Sequence, residues 1–149
     1  MAGVAVKNLT RRADAPRALF KTLGALLLPR WDISLVFVGP TMARALNKEL
    51  RGKTYVPNVL SYVAGEKSGE IIICLSEAQK QAPAYAMSTR DFILYLFIHG
   101  ALHIKGWPHG ARMEACERTL LARYGTAHSN RHRHRDLPGQ DGGRRRAHR

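Results

Sequence analysis

Three histidines in the second half of the chain have the spacing of a metal site. They are His99, His103 and His109, in the pattern H-x-x-x-H-x-x-x-x-x-H. The first two lie four residues apart on a predicted helix, so their rings project from one face about one turn apart. Gly106 is expected to end that helix and let His109 fold back toward them. Three imidazoles with an open fourth position are typical of a catalytic zinc site, here with one ion per chain, although imidazole also suits nickel, copper and iron.

The residue after the first histidine separates this pattern from the metalloprotease signature H-E-x-x-H. In that signature the glutamate acts as the general base. Here the position is occupied by Gly100. A glycine at this position counts against peptide hydrolysis by the metalloprotease mechanism, which needs the glutamate. It leaves a metal that activates water or polarises a phosphoryl oxygen without an adjacent carboxylate.

The composition and net charge of the chain indicate which kinds of molecule it binds. The chain has 149 residues, of which 45% are hydrophobic, so a single globular domain is expected. Its 24 Lys and Arg against 11 Asp and Glu give a net charge of +13, which favours a nucleic acid or another polyanion as partner. No apolar run approaches the ~20 residues of a membrane-spanning helix. With two cysteines and no recognisable signal peptide, we expect a cytoplasmic protein with no disulfide scaffold and no membrane partner.

The C-terminal residues differ from the rest of the chain in composition. Residues 128–149 contain seven arginines and two aspartates, a charge of +5 that leaves +8 for residues 1–127. We expect this segment to be a disordered basic tail, because it has too few apolar side chains to offset the entropy of ordering. Its His132 and His134 alternate with arginines, whose charge disfavours a divalent cation, so we interpret the tail as an arm that binds polyanions.

Apolar periodicity and breaker residues predict a small mixed sheet covered by helices. The predicted strands are residues 4–8, 33–38, 59–63 and 69–75, and the predicted helices are 15–28, 41–50, 76–81, 88–105 and 112–124. Thr41 is expected to cap the second helix, and Ser88-Thr-Arg-Asp91 has the spacing of a capping box. On the histidine-bearing helix, Phe92, Leu96 and Leu102 are expected in the core. Strands and helices alternate early and helices dominate late, which indicates an α+β domain with about four strands.

The segment 99–109 resembles the signature H-G-x-L-H-x-x-G-aromatic-x-H of the YbeY family of rRNA-maturation endoribonucleases. Segments 46–53, 59–62, 69–73 and 113–117 resemble further motifs of that family, so the resemblance covers nearly all of residues 1–127. Three departures are visible. Asn58 and Pro108 stand where the family usually has aspartate, and the connection from His109 to Met113 is short.

The resemblance implies a zinc-dependent endoribonuclease with a zincin-like fold that acts on single-stranded RNA. It implies processing of the 3′ end of small-subunit rRNA and ribosome quality control, with rRNA and the small ribosomal subunit as partners. Arg51 matches the family's active-site arginine and would join His99, His103 and His109 as a catalytic residue. Its planar guanidinium suits a phosphate, whereas the alternative for Arg51 is a salt bridge with a nearby carboxylate such as Glu49.

Two other functions fit parts of the same sequence. One is a metal-dependent hydrolase of another substrate, such as a peptide. The other is a ribosome-associated RNA-binding protein with a vestigial metal site, which the departures at Asn58, Pro108 and the short connection favour. RNA cleavage assays that compare the chain with His99→Ala and Arg51→Ala variants would separate the three. The sequence leaves the oligomeric state open.

Overall fold

The computed structural model describes residues 2–126 and contains four strands and five α-helices in that range. The strands are β1 Gly3–Asn8, β2 Asp32–Val38, β3 Val59–Gly65 and β4 Ser68–Cys74. The helices are α1 Arg17–Leu27, α2 Pro40–Arg51, α3 Leu75–Gln81, α4 Thr89–Lys105 and α5 Ala111–Tyr124, with a 3₁₀ turn at Ala82–Tyr85. The predicted basic tail, including His132 and His134, lies outside the described residues.

The four strands form one sheet in the order β1-β2-β4-β3. β1, β2 and β4 are parallel, and β3 pairs antiparallel with β4. The α+β class and the mixed four-stranded sheet predicted from the sequence are therefore confirmed. The expectation for Thr41 was wrong: α2 begins one residue earlier at Pro40, and no side chain caps it. Proline suits the first helical position because its missing N–H would have no partner there.

The two faces of the sheet carry different helices because side chains alternate along each strand. Ile71 and Ile73 of β4 point to the face covered by α1 and α4, whereas Ile72 and Cys74 point to the face covered by α2. α4 is the central helix: every residue from Asp91 to Leu102 is buried, and so is Ile104. A helix that is apolar on all sides belongs in a core, and the predicted core positions Phe92, Leu96 and Leu102 are fully buried. Within residues 2–126, no helix is both long enough and apolar enough to cross a membrane.

The start of α4 is tied to the end of α5. The Ser88 hydroxyl accepts a hydrogen bond from the Asp91 N–H at 3.1 Å, which confirms the predicted cap. The buried Asp91 carboxylate does not close a reciprocal capping box. It accepts bonds from the Thr126 hydroxyl at 2.8 Å and from the Thr126 N–H at 3.1 Å. This carboxylate also lies in the first turn of α4, where negative charge is stabilised by the helix dipole.

The contact of α1 with β1 depends on a glycine. A Cβ at Gly24 would overlap the Cγ2 atom of buried Val4. Gly24→Ala should therefore lower the free energy of unfolding by about 1 to 3 kcal/mol, although alanine favours a helix over glycine by about 1 kcal/mol. Urea unfolding measures this change. In a Val4→Ala background the overlap disappears and Gly24→Ala should become neutral or stabilising. A Gly24→Ala variant more stable than the unaltered chain would contradict this account.

Candidate metal centre

The structure brings His99, His103 and His109 together at the C-terminal half of α4. Their candidate ligand nitrogens all lie within 4.8 Å of one another. The Nε2 atoms of His103 and His109 are 3.2 Å apart. Tetrahedral ligand nitrogens 2.0–2.1 Å from a zinc ion are about 3.4 Å apart, so the spacing of this pair already suits a shared ion.

The return of His109 is produced by the end of α4. Gly106 adopts a left-handed conformation with φ of 102°, which favours glycine. Its N–H bonds the His103 carbonyl at 2.9 Å, and the Trp107 N–H bonds the Leu102 carbonyl at 3.0 Å. This pair of bonds is the Schellman arrangement, which satisfies the last helical carbonyls and reverses the chain. His109 follows three residues after Gly106 and α5 begins at Ala111, so one short loop carries the third ligand.

A buried carboxylate from α5 orients the first histidine. The Nδ1 atom of His99 lies 2.5 Å from the Oε2 atom of Glu117, and both side chains are almost fully buried. Because the carboxylate is an acceptor, Nδ1 carries the hydrogen and Nε2 is left as the ligand nitrogen. Metal-binding histidines generally have such a partner on the second ring nitrogen. The donor set thus fits a metal ion, and Glu117 is a candidate functional residue that the sequence analysis did not name. The M-x-x-x-E motif of segment 113–117 was the signal that could have found it.

Position 100, where the metalloprotease signature has its glutamate, is packed closely against the sheet. A Cβ placed on Gly100 would lie 3.3 Å from the Cγ2 atom of Ile71 and 3.4 Å from the Cβ atom of Ser61. α4 therefore approaches β3 and β4 closely at this residue. A longer side chain would be forced between the helix and the sheet. This packing disfavours an acidic side chain at position 100, because burial would remove part of its solvation.

The Cys116 thiol, next to Glu117 in the chain, lies outside the histidine cluster. Burial raises the pKa of this thiol above its usual value, and the neighbouring Glu117 carboxylate raises it further. The grouping of possible ligands in residues 2–126 contains the three histidines alone.

The guanidinium of Arg112, in the first turn of α5, lies over an aromatic ring of the loop that precedes this helix. The Cζ atom of Arg112 lies 3.9 Å from the centroid of the Trp107 ring. Trp107 lies between His103 and His109 in the chain and is half-buried, whereas Arg112 is exposed. Trp107 and Arg112 therefore lie on either side of His109 in the chain.

Arg51 belongs to a helix that packs on the other face of the sheet from α4. It is the last residue of α2, which covers the face opposite to α4. One guanidinium nitrogen lies 3.4 Å from the Tyr55 hydroxyl, and the buried Nε atom has no hydrogen-bond acceptor among the described residues. None of the ion pairs in residues 2–126 includes Arg51 or Glu49, so the alternative salt bridge does not form.

Two residues that follow Arg51 in the chain, Lys53 and Asn58, differ in their surroundings. Lys53 is half-buried just after the left-handed Gly52 that ends α2. The Asn58 amide donates a hydrogen bond to the Gln81 side chain at 2.9 Å. Asn58 thus joins the start of β3 to the end of α3. The carboxylate that orients a metal ligand comes from Glu117 instead.

Comparisons with known proteins agree with this geometry. The profile of the family described as Endoribonuclease YbeY matches residues 8–125. The chain belongs to this family. The resemblance found in the sequence is thereby confirmed over nearly all of the described residues.

Several relatives named Endoribonuclease YbeY are similar to this chain. The Bordetella pertussis protein is 34% identical over 106 residues, which cover 64% of this chain and 68% of that one. The Aromatoleum aromaticum protein is 31% identical over 124 residues, which cover 76% of this chain and 80% of the relative. A solution structure from Thermotoga maritima has a TM-score of 0.61 at 19% identity and covers 92% of this chain and 99% of its own, which supports the fold.

Glu117 should contribute to metal affinity without being a ligand. Glu117→Gln keeps the shape of the side chain but removes the carboxylate charge that stabilises the His99 N–H. We expect metal affinity to fall by about 10- to 100-fold, the range typical of such partners. Competition with a chromogenic chelator measures the affinity. Glu114→Gln, at an exposed position of α5, is the matched control and should bind metal like the unaltered chain. Equal affinities for the two variants would show that Glu117 does not support the site.

Proposed function

We propose that this chain is a metal-dependent endoribonuclease that cleaves single-stranded RNA. Its role is the processing of the 3′ end of small-subunit rRNA and ribosome quality control. The observation that carries the proposal is the three-histidine cluster with His99 held by Glu117, in a chain of the YbeY family. Relatives of this chain are named for endoribonuclease activity.

Zinc is the metal that we propose for the cluster. Three imidazoles that leave a fourth position open are a common catalytic zinc set, and the 3.2 Å separation of the His103 and His109 nitrogens suits tetrahedral geometry. One ion per chain is expected, because the described residues offer one such group. When bound, the metal supplies a Lewis acid that can activate water and polarise a phosphate oxygen.

The chain's own residues have separate tasks in this proposal. Glu117 holds the hydrogen on Nδ1 of His99 and so fixes the ring in one tautomer. Gly100 keeps a carboxylate out of the position used by metalloproteases, which disfavours the peptidase alternative. Arg51 binds the phosphate and stabilises charge that develops on it, since its guanidinium has no carboxylate partner among the described residues.

The path of the RNA follows from the placement of these groups. α2 and α4 cover opposite faces of the sheet, and β3 is the outermost strand on their common side. An RNA strand that contacts both Arg51 and the histidines must therefore pass the outer edge of β3. Lys53, two residues beyond Arg51, is placed to attract the same strand.

The partners and location follow the same proposal. Residues 1–127 carry a charge of +8, so attraction to the RNA backbone does not depend on the basic tail alone. We propose rRNA in the small ribosomal subunit as the target and the cytoplasm as the location. The two cysteines of the described residues are both free, which suits a reducing compartment.

Arg51→Lys should reduce cleavage while RNA and metal binding persist. Lysine keeps the positive charge but not the planar fork that binds two phosphate oxygens. Loss of one such contact in the transition state typically lowers the rate by about 100-fold or more. Single-turnover cleavage of a single-stranded RNA at saturating protein measures the rate. Arg44→Lys, an exposed change on the same helix, is the matched control. Near-normal cleavage by Arg51→Lys would remove Arg51 from the catalytic group.

The same assay tests the proposed activity itself. The unaltered chain should cleave single-stranded RNA, and His103→Ala should abolish cleavage and remove about one metal ion per chain. Metal analysis and gel analysis of the RNA products measure the two effects. Cleavage that persists in metal-depleted His103→Ala would contradict a metal-dependent nuclease. RNA binding without cleavage by the metal-loaded chain would favour the RNA-binding alternative.

A further inference from the structure

The stacked pair of Trp107 and Arg112 has no task in the chemistry described so far. The guanidinium carbon lies 3.9 Å from the ring centroid, a distance typical of direct stacking. Both residues are covalently close to a metal ligand, because His109 lies between them in the chain. A molecule bound on this pair would therefore lie next to the metal centre.

Helix stability does not explain the position of Arg112. Arg112 is the second residue of α5, where the helix dipole disfavours a positive charge. No carboxylate among the described residues forms an ion pair with it. The ring beneath the guanidinium is half-buried, while Arg112 itself is exposed. The guanidinium thus lies over an aromatic ring at an exposed position.

We propose that Trp107 and Arg112 form a stacking platform for one base of single-stranded RNA beside the metal centre. This inference rests on the proposed endoribonuclease function. Proteins that bind single strands stack unpaired bases on aromatic rings and on arginine guanidinium planes. A base within a duplex is already stacked on both sides and cannot be received in this way. The platform therefore gives the site a physical reason to prefer single-stranded RNA.

A second pair in the chain provides a matched control. The Nζ atom of Lys67 lies 5.8 Å from the centroid of the Trp31 ring. Trp31 precedes β2, and Lys67 lies in the turn between β3 and β4. Neither residue is on an element that carries a metal ligand. Lys67→Ala removes one positive charge and one cation–aromatic contact, as Arg112→Ala does, but it leaves the platform intact.

The experiment compares two probes that differ only in their bases. One is a short fluorescent oligoadenylate, and the other is a ribose-phosphate strand of the same length without bases. Binding to the metal-loaded full chain is measured by anisotropy immediately after mixing, before cleavage proceeds. Arg112→Ala should weaken binding of the oligoadenylate by about tenfold, which is within the range for one stacked base, and should weaken the base-free strand much less.

Two further variants separate stacking from charge. Arg112→Lys keeps the charge and should still lose base-dependent binding, because an ammonium group offers no plane. Lys67→Ala should weaken both probes slightly and to the same extent. Equal weakening of the two probes by Arg112→Ala, or oligoadenylate binding by Arg112→Lys that matches the unaltered chain, would overturn the platform. Since Arg112 is exposed, these changes should leave the fold intact.

A failure of the stacking platform and a failure of the proposed endoribonuclease function give different results. Cleavage of a single-stranded RNA by the unaltered chain is measured separately from binding. A chain that binds with the expected dependence on bases and on Arg112, yet cleaves no RNA, would support the platform and contradict the endoribonuclease activity. A chain that cleaves RNA with no difference in binding between the two probes would support the activity and overturn the platform.

Discussion

The close packing of α4 against the sheet is the constraint on which the rest of the structure depends. One helix supplies much of the apolar core and also two of the three clustered histidines. It can do both because Gly100 has no side chain where the helix approaches Ile71 and Ser61. A cluster built on a helix that is buried along most of its length is held more rigidly than one on a surface loop. The same close packing disfavours an acidic side chain at position 100, on the side of the helix that faces the sheet.

The burial of α4 also requires hydrogen-bond partners for the polar side chains that this helix carries. His99 and Asp91 both lie deep in the protein, where an unpaired polar side chain would be costly. Both are hydrogen-bonded by the C-terminal part of the described chain, His99 at Nδ1 by Glu117 of α5 and Asp91 by Thr126 after it. The segment that completes the core against α4 therefore also orients a candidate metal ligand. The packing of α5 against α4 therefore also brings Glu117 to His99.

The surroundings of the cluster separate an RNA-directed site from a peptide-directed one. The position of the metalloprotease base is tightly packed, and the Arg112 guanidinium lies over the indole ring of the loop that carries the third histidine. Arg51, at the end of α2, forms no ion pair with a carboxylate among the described residues. Cationic and planar groups of this kind suit phosphates and bases. The net charge of the domain acts in the same direction over a longer range.

The sequence alone determined the features that depend on neighbouring residues. The helical spacing of His99 and His103, the break at Gly106 and the cap at Ser88 are encoded within a few positions, and local geometry makes them readable. The structure decided the contacts between residues far apart in the chain. Glu117 meets His99 across 18 positions, and Thr126 meets Asp91 across 35. Such pairs are brought together only when the helices pack, because neither residue's local pattern specifies its partner. Local spacing thus predicted the ligands, and tertiary packing determined what holds and surrounds them.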